Sequence, residues 1–397
     1  MLKHGTVIPL IGGMTIGAEK AFGAPPTYLA SYSAFAANDS HARNWYADVP
    51  FFSLDEKNTI KGKVDAISTV CPCAGLSQMH NSFGSHNEIN DWMIKTATLV
   101  LSELKPRVFW GENAPGLIGS IGEGIRNKLL KIASDNGYVV SFYKTKSQLH
   151  GTPQVRQRTF YFFWKGDRIP ILNWYDEPYQ KIEDLIRSVR SNFQSEPINT
   201  STPSHDPYYR YILEVIHGGI THRQFSEMMK PLDVRSNDVQ SYIESKGVTY
   251  ETLGAWMKEQ GLNKETERCV RVHAKLSTGG NIMRRQTIIP KDIIGAFVGH
   301  YPMKLAHPDE DRYITYREAM AIMGLPNNFE LLEPKKSYNH ICQNVPVKTA
   351  TDIAKEVVAV LNDEREYVNN QKVLYQYNDR LAIEYSKEKQ SSVLEFM

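Results

Sequence analysis

The chain has 397 residues, of which 41% are hydrophobic and 23% charged, and its formal net charge is +2 with histidine counted as neutral. This length allows two domains with separate cores, and the near balance of charge means that any surface for nucleic acid must be local. No apolar run approaches the roughly 20 residues that span a bilayer, and no signal-peptide pattern is visible. We therefore expect a cytoplasmic protein without membrane contact.

The cysteines are too few and too scattered to indicate a disulfide framework, which favours a reducing, intracellular setting. They are Cys71, Cys73, Cys269 and Cys342. Cys71 and Cys73 are spaced like half of a metal site, but no second pair of Cys or His at suitable spacing stands out in the sequence. No metal is therefore predicted.

Patterns typical of strands and helices alternate over the first 167 residues. Gly12-Gly13 is predicted to open a helix that runs to about Phe22, and the apolar run from Val64 to Val70 predicts a buried strand that ends at Cys71. The further predictions are a strand over 28–35, a helix over 39–46, a helix over 91–103, a strand over 108–110, a helix over 121–136 ended by Gly137, and strands over 139–143 and 160–164.

This alternation predicts an α/β fold, in which a mostly parallel sheet is covered by helices on both faces. Ligands of such sheets bind at the carboxyl ends of the strands. Cys73 and Glu112 are both predicted to lie just past strand ends, so we expect them to share one cleft.

The sequence changes character after about residue 168. Helical patterns cover 209–216 and 225–229, and a basic, strand-like segment is predicted near 270–274. The basic residues of this region are Arg268, Arg271, His273, Lys275, Arg284 and Arg285. Because Arg284-Arg285 follows Gly279-Gly280, the pair is predicted to lie in a flexible loop that offers cations to phosphates, with a solvated basic hairpin as the alternative.

The C-terminal part contains one clear helical pattern, over 347–361. Beyond it, Val393-Leu394 and Phe396-Met397 end a polar tail. This end is interpreted as a segment that packs on its own domain or frays, with a docking peptide as the alternative.

A set of short motifs follows in order along the chain and resembles the DNA (cytosine-5)-methyltransferases. The motifs are Pro72-Cys73-Ala74-Gly75-Leu76-Ser77, Glu112-Asn113-Ala114, Gly151-Thr152-Pro153 with Gln154-Val155-Arg156-Gln157-Arg158, Arg317-Glu318 with Gly324-Leu325-Pro326, and Asn344. The resemblance covers roughly residues 5 to 360. It implies a Rossmann-like methyltransferase sheet and a smaller target-recognition domain.

The resemblance also implies the chemistry. Carbon 5 of cytosine is a poor nucleophile, and attack by a thiolate at carbon 6 activates it, so Cys73 is the expected nucleophile. Glu112 is expected to bind ring nitrogen 3 and Arg158 to bind oxygen 2, with Arg156 completing the catalytic set. The cytosine must first be swung out of the duplex. Gln154, which is also expected to help organise the site, is assigned to the DNA surface with Arg271, Lys275, Arg284 and Arg285.

The implied methyl donor is S-adenosylmethionine, and its expected contacts are Gly12, Gly13, Asp39, Asp48, Pro72 and Asn344. The donor loop departs from the family pattern, since Leu10 stands at its first glycine, Ile8 at its phenylalanine and Thr6 at its aspartate. The position of the ribose-binding acid holds Ala37, which leaves Asp39 as the substitute. Asp48 is assigned to the adenine.

The expected domains are a catalytic domain of residues 1–167 and 335–365, a target-recognition domain of 168–334 and a C-terminal extension of 366–397. Double-stranded DNA is the expected partner, bound by a monomer in a bacterial host cytoplasm, close to the nucleoid, for restriction-modification or viral DNA protection. The altered donor loop leaves two alternatives open: transfer of a modified one-carbon group or to another pyrimidine, and a catalytically inactive DNA-binding relative. A Rossmann-like oxidoreductase is disfavoured, because no Gly-x-Gly-x-x-Gly follows the first strand.

Overall fold

The computed structural model describes residues 1–55, 60, 62–72, 74–76, 88–190, 193–229, 236–280 and 287–378. Its strands are β1 (His4–Val7), β2 (Leu29–Ser31), β3 (Phe51–Ser53), β4 (Ala66–Thr69), β5 (Val108–Asn113), β6 (Tyr138–Lys146), β7 (Gln154–Val155), β8 (Gln157–Lys165), β9 (Ile169–Pro170), β10 (Ser236–Asp238), β11 (Ile288–Pro290), β12 (Ile294–Gly295), β13 (Tyr367–Val368) and β14 (Val373–Asn378).

The helices within the same residues are α1 (Gly13–Phe22), α2 (Ala36–Trp45), α3 (Asp91–Leu99), α4 (Glu123–Asp135), α5 (Ile182–Ser188), α6 (Pro207–Tyr211), α7 (His222–Met229), α8 (Val239–Ser245), α9 (Tyr250–Glu259), α10 (Asn263–Ser277), α11 (Tyr316–Ile322), α12 (Pro334–Gln343) and α13 (Val347–Leu361). Two of them, α3 and α6, continue as π-helical turns over Val100–Leu104 and Ile212–Ile216.

Contacts divide the chain into two compact units. The first is Met1–Tyr179 with Met323–Met397, and the second is Gln180–Ile322. These boundaries lie about a dozen residues inside the predicted target-recognition domain at each end. The reason is that residues 169–179 and 323–334 make their contacts with the first unit, for example through the pairing of β9 with β13.

The first unit is built on a sheet with the strand order β14-β6-β8-β5-β4-β1-β2-β3. Strand β8 is antiparallel to both of its neighbours, and the other pairings are parallel. Connections that leave the centre of a parallel sheet in opposite directions put their helices on opposite faces, because crossovers are almost always right-handed. Helix α1 connects β1 to β2, and helix α3 connects β4 to β5, so the two connections leave the centre of the sheet in opposite directions. The two helices therefore cover opposite faces, which confirms the predicted α/β fold.

The core of the first unit explains why these segments become strands. Residues 160–164 of β8 are aromatic throughout and at most 3% exposed, as expected for a strand covered on both faces. On one side α1 packs against α13 so closely that a Cβ on Gly17 would collide with Ala350. The predicted helices over 13–22 and 347–361 are therefore confirmed.

Several predicted bounds change. The expected strand over 28–35 ends at Ser31, and Ser33–Phe35 is a 3-10 turn that leads into α2. Strand β5 extends to Asn113, so Glu112 lies inside the strand and not past its end. The C-terminal extension is part of the sheet as far as Asn378, because every residue of β14 pairs with a residue of β6. The proposed docking segment at 393–397 lies outside the described residues.

The second unit has its own core, in which α6, α7, α8, α9 and α10 pack around buried residues such as Tyr208, Phe225, Leu253 and Cys269. Residues 270–274, predicted as a basic strand, belong to helix α10 instead. The alternation of basic residues with Val270 and Val272 resembled a strand, but Cys269 and Val272 are the buried residues, at helical spacing. Among the described residues, no helix is long and apolar enough to cross a membrane.

Candidate active site

The turn between β1 and α1 brings the predicted glycine pair and Asn344 together. Gly12 has a φ of +112°, a conformation that favours glycine. The Gly13 N–H donates a hydrogen bond of 2.8 Å to Asn344 Oδ1, across 331 residues of sequence. A Cβ on Gly13 would collide with that side chain and with the carbonyl of Val345. Glycine is therefore required here by a close approach of two segments.

This turn fits the amino-acid part of S-adenosylmethionine. The N-terminus of α1 favours a carboxylate, because its first N–H groups have no partners within the helix. Asn344 Nδ2 is buried and has no hydrogen-bond partner among the described residues, so it can serve as a donor to a ligand. The residues at this end of the sheet therefore fit the donor.

The donor loop contains two strained residues. Ile8 and Leu10 have φ values of +55° and +49°, which for such residues costs roughly 1–3 kcal/mol each. Hydrogen bonds hold them there: the Ile8 N–H donates to the Ala30 carbonyl at 2.8 Å, and the Leu10 N–H donates to Asp39 Oδ1 at 2.9 Å. The loop therefore keeps a glycine-like conformation although its first glycine is replaced.

Asp39 anchors the loop from helix α2. Its side chain is 1% exposed, and burial raises its pKa from 3.8 to about 7, although the Ser31 hydroxyl and the Leu10 amide act in the opposite direction. One carboxylate oxygen is already used by Leu10. The role of Asp39 as a ribose ligand stays a prediction.

Asp48, the predicted adenine contact, does not lie at the end of the sheet that carries the donor turn. Asp48 is exposed and precedes β3, which runs parallel to β2, so it lies on the amino side of the strand. Donor contacts of such sheets lie at the carboxyl ends. The acid that follows the carboxyl end of β3 is Asp55, which the sequence reasoning missed because β3 was not recognised. Asp55 accepts a 2.6 Å hydrogen bond from the Ser33 N–H, which lowers its pKa.

The cytosine-side residues Glu112 and Arg158 form a buried ion pair. Arg158 Nε lies 2.6 Å from Glu112 Oε1, and the side chains are 14% and 3% exposed. The register of the sheet explains the contact. Glu112 stands opposite Phe160, two residues from Arg158, so both side chains lie on one face. The antiparallel strand β8 therefore delivers the guanidinium to the carboxylate of β5.

Arg156 and Gln154 are interior residues. Arg156 is 2% exposed, lies 4.0 Å from Glu112 Oε1 through Nη2 and donates through Nη1 to the Cys342 carbonyl at 2.9 Å. Gln154 is fully buried, and its Nε2 contacts Met323 Sδ at 3.3 Å. The structure therefore places Gln154 in the interior and not on the surface, and its contact with DNA stays a prediction. Both residues lie in the segment between β6 and β8, just before Arg158.

The predicted nucleophile Cys73 lies outside the described residues. Pro72 before it is half-buried, and residues 74–76 after it form a turn that packs on Pro115–Leu117, the turn that follows β5. Gly116 permits this contact, because a Cβ there would collide with the carbonyl of Leu76. The nearby Cys71 is buried, which raises its pKa and makes it unreactive.

Two predicted DNA-binding residues, Arg271 and Lys275, lie on the exposed face of α10. Arg271 is 70% exposed and sits 3.7 Å from Glu267. Arg284 and Arg285 lie outside the described residues. Among the described residues, no cluster of His, Cys, Asp or Glu could hold a metal ion.

Comparison with known proteins agrees with this geometry. The family described as C-5 cytosine-specific DNA methylase matches residues 8–359. Type II methyltransferase M.PspPI of Psychrobacter sp. is 23% identical over 88% of this chain and 77% of its own length. Type II methyltransferase M.NgoPII of Neisseria gonorrhoeae is 20% identical over 88% of this chain and 93% of its own length.

The fold is also found among solved structures. A protein described as a DNA modification methyltransferase encoded within an E. coli prophage superposes with a TM-score of 0.56 and 17% identity, over 91% of this chain and 100% of its own. This likeness shows the fold, and the family match over residues 8–359 defines the class as a DNA methylase. The chain belongs to the C-5 cytosine-specific DNA methylase family, whose methyl donor is S-adenosylmethionine.

Proposed function

We propose that this chain transfers a methyl group from S-adenosylmethionine to carbon 5 of cytosine in double-stranded DNA. The observation that carries the proposal is the buried pair of Glu112 and Arg158, 2.6 Å apart at the carboxyl end of β5. A flipped cytosine needs a hydrogen-bonding carboxyl at nitrogen 3 and a cation at oxygen 2, and these two side chains supply both.

In the proposed reaction, Cys73 attacks carbon 6 as the thiolate, while Glu112 holds a proton at nitrogen 3 and Arg158 stabilises the charge on oxygen 2. S-adenosylmethionine, bound at Gly13 and Asn344, would supply an electrophilic methyl group. Water then takes the proton from carbon 5, the electron pair of that C–H bond re-forms the double bond between carbons 5 and 6, and Cys73 leaves as the thiolate. Flipping the base costs a few kcal/mol, which contacts in the pocket offset.

The second unit, Gln180–Ile322, is proposed to recognise the DNA target, and Arg271 and Lys275 on α10 are its candidate phosphate contacts. We further propose that one copy of the chain acts at each site. Sedimentation of the complex with a duplex of defined length measures that stoichiometry, and two copies per duplex would refute it.

The experiment that tests the reaction compares the wild type with Cys73→Ser and with a matched control, Cys71→Ala. Each protein is incubated with S-adenosylmethionine and mixed-sequence duplex DNA, and the nucleosides are weighed by mass spectrometry. We expect 5-methylcytosine from the wild type and from Cys71→Ala, and none from Cys73→Ser, which still binds DNA. Activity of Cys73→Ser would contradict the assigned nucleophile.

A second candidate function follows from one observation, the replacement of the donor-loop glycine by Leu10 at a φ of +49°. The altered loop is compatible with a donor that carries a modified one-carbon group. The same mass spectrum separates the two, because the modified nucleoside would then be heavier than 5-methylcytosine. Failure of every donor to bind in calorimetry would favour a DNA-binding relative without catalysis.

A further inference from the structure

A chain of hydrogen bonds in the first unit links Thr145, His150 and Asp352, none of which the proposed chemistry uses. Thr145 Oγ1 lies 2.8 Å from His150 Nε2, and His150 Nδ1 lies 3.1 Å from Asp352 Oδ2. Thr145 and His150 are each 1% exposed. Since a carboxylate only accepts hydrogen bonds, Nδ1 donates to Asp352. In the neutral imidazole Nε2 then accepts from the Thr145 hydroxyl.

This sequence of groups resembles a nucleophile, a base and an orienting acid, but its burial excludes that chemistry. Thr145 lies inside β6 with strands on both sides, so no substrate can reach its hydroxyl. Thr145 and His150 are buried, and the Asp352 side chain is 12% exposed. Such a hydrogen-bonded chain can instead fix the geometry of the elements that it joins.

The register places this chain beside the candidate active site. Thr145 is the direct partner of Arg158 in the antiparallel ladder between β6 and β8, so the two side chains lie on one face of the sheet. Glu112 lies on the same face, on the other side of β8. On its outer side Thr145 is paired with Asn378 of β14. In the ladder, Arg158 therefore lies between Thr145 of β6 and the strand that carries Glu112.

Helix α13 holds the turn between these strands at two points. Asp352 binds His150, and Lys348 Nζ donates to the Gly151 carbonyl at 3.0 Å. Gly151 has a φ of +71°, so this turn depends on a backbone conformation that needs support. The same helix packs on α1, which follows the donor turn. One helix thus contacts both the donor side and the arginine side of the site.

Resting on the proposed function, we propose that Thr145, His150 and Asp352 act as a positioning chain that keeps the Arg158 guanidinium on Glu112. These residues are positioning residues and not catalytic ones, because they act through the strand that carries Arg158. A displacement of about 1 Å of a group that contacts the reacting base can reduce a rate by orders of magnitude. Loss of the Thr145–His150 hydrogen bond should therefore reduce the rate of the chemical step.

The test uses two substitutions on the same strand. Thr145→Val keeps the shape of the side chain but removes the hydroxyl that binds His150. Ser141→Ala, the matched control, removes a buried hydroxyl that accepts a 2.8 Å hydrogen bond from Trp164 Nε1, also between β6 and β8. We expect Thr145→Val to reduce the single-turnover methylation rate about tenfold at saturating donor, and Ser141→Ala to leave it unchanged at a similar loss of Tm. Equal rates for the two variants would overturn the proposal.

A coupling measurement separates positioning from simple destabilisation. In an Arg158→Lys background, Thr145→Val should have little further effect on the rate, because the group that it positions is already altered. An undiminished tenfold effect in that background would show that Thr145 does not act through Arg158, and would contradict the proposal.

A spectroscopic readout makes the result independent of turnover. The Nε–Hε resonance of Arg158, assigned by its absence in Arg158→Lys, reports the surroundings of Nε, which lies 2.6 Å from Glu112 Oε1. It should shift in Thr145→Val and stay in place in Ser141→Ala. If it stays in place in both, the positioning role is refuted whether or not the protein methylates DNA. If it shifts while the wild type leaves cytosine unmodified, the positioning role stands and the proposed reaction fails.

Discussion

Replacing Arg158 with alanine should leave the buried carboxylate of Glu112 without its nearest cation. The Glu112 side chain is 3% exposed, and its Oε1 lies 2.6 Å from Arg158 Nε. The remaining cation, Arg156, is 4.0 Å away and is already engaged with the Cys342 carbonyl. Arg158→Ala is thus expected to affect stability as well as activity.

The magnitude follows from the burial of the pair. Removing one partner of a buried ion pair costs about 3–5 kcal/mol, and the proximity of Arg156 puts the expected loss near the lower end, about 3 kcal/mol. The Tm of a unit of this size changes by about 2–4 °C per kcal/mol, so Arg158→Ala should melt on the order of 10 °C below the wild type.

The assay is thermal unfolding of the free protein at neutral pH, with a second variant that tests the cause. In Glu112→Gln/Arg158→Ala the neutral amide needs no counter-ion, so the double variant should be more stable than Arg158→Ala alone. Lys131→Ala, which breaks an exposed pair with Asp135, should change Tm very little. A double variant less stable than Arg158→Ala would refute the reasoning that an unpaired carboxylate is the cause.

Three further outcomes are expected. Between about pH 4 and pH 7 the folded protein holds a proton on Asp39 that the unfolded chain has lost. The free energy of unfolding therefore decreases as pH rises through this range, by at most about 4 kcal/mol. Asp39→Asn should remove this decrease, as measured by Tm in a pH series. Gly13→Ala should abolish donor binding in calorimetry, whereas Gly119→Ala, at an open position, should preserve it. Arg271→Ala should reduce the salt dependence of DNA binding by about 0.9 in the log–log slope, and Lys131→Ala should not.

Each outcome has a clear contradiction. Parallel pH profiles for Asp39→Asn and the wild type would show that the carboxyl is not protonated in the folded state at neutral pH. Tight donor binding by Gly13→Ala would show that Asn344 can move away without loss. An unchanged slope for Arg271→Ala would remove α10 from the proposed phosphate contacts.

The segments that the sequence predicted well are those with strong local patterns. The helix after Gly12-Gly13, the buried strand before Cys71 and the helix over 347–361 each combine a regular apolar period with a clear start or stop residue. The motifs identified the family for a similar reason, because each of them is a short run of neighbouring residues. The strand predicted over 270–274 was wrong, because Val270 and Val272 alternate with basic residues as in a strand, whereas the buried residues Cys269 and Val272 follow helical spacing.

The site itself was decided by the tertiary structure. Glu112 and Arg158 are 46 residues apart, and only the antiparallel placement of β8 beside β5 puts them 2.6 Å from each other. Gly13 and Asn344 are likewise brought together only by the fold. The position of Asp48 relative to the sheet depends on β3, a strand that local patterns did not reveal.

The sequence by itself therefore determined the family and the segments with strong local patterns, such as the helices over 13–22 and 347–361, because those properties depend on near neighbours along the chain. The tertiary structure alone decided the order of strands, the incorporation of residues 373–378 into the sheet and the buried chain from Thr145 to Asp352. These depend on register and packing between distant segments, which no local pattern encodes.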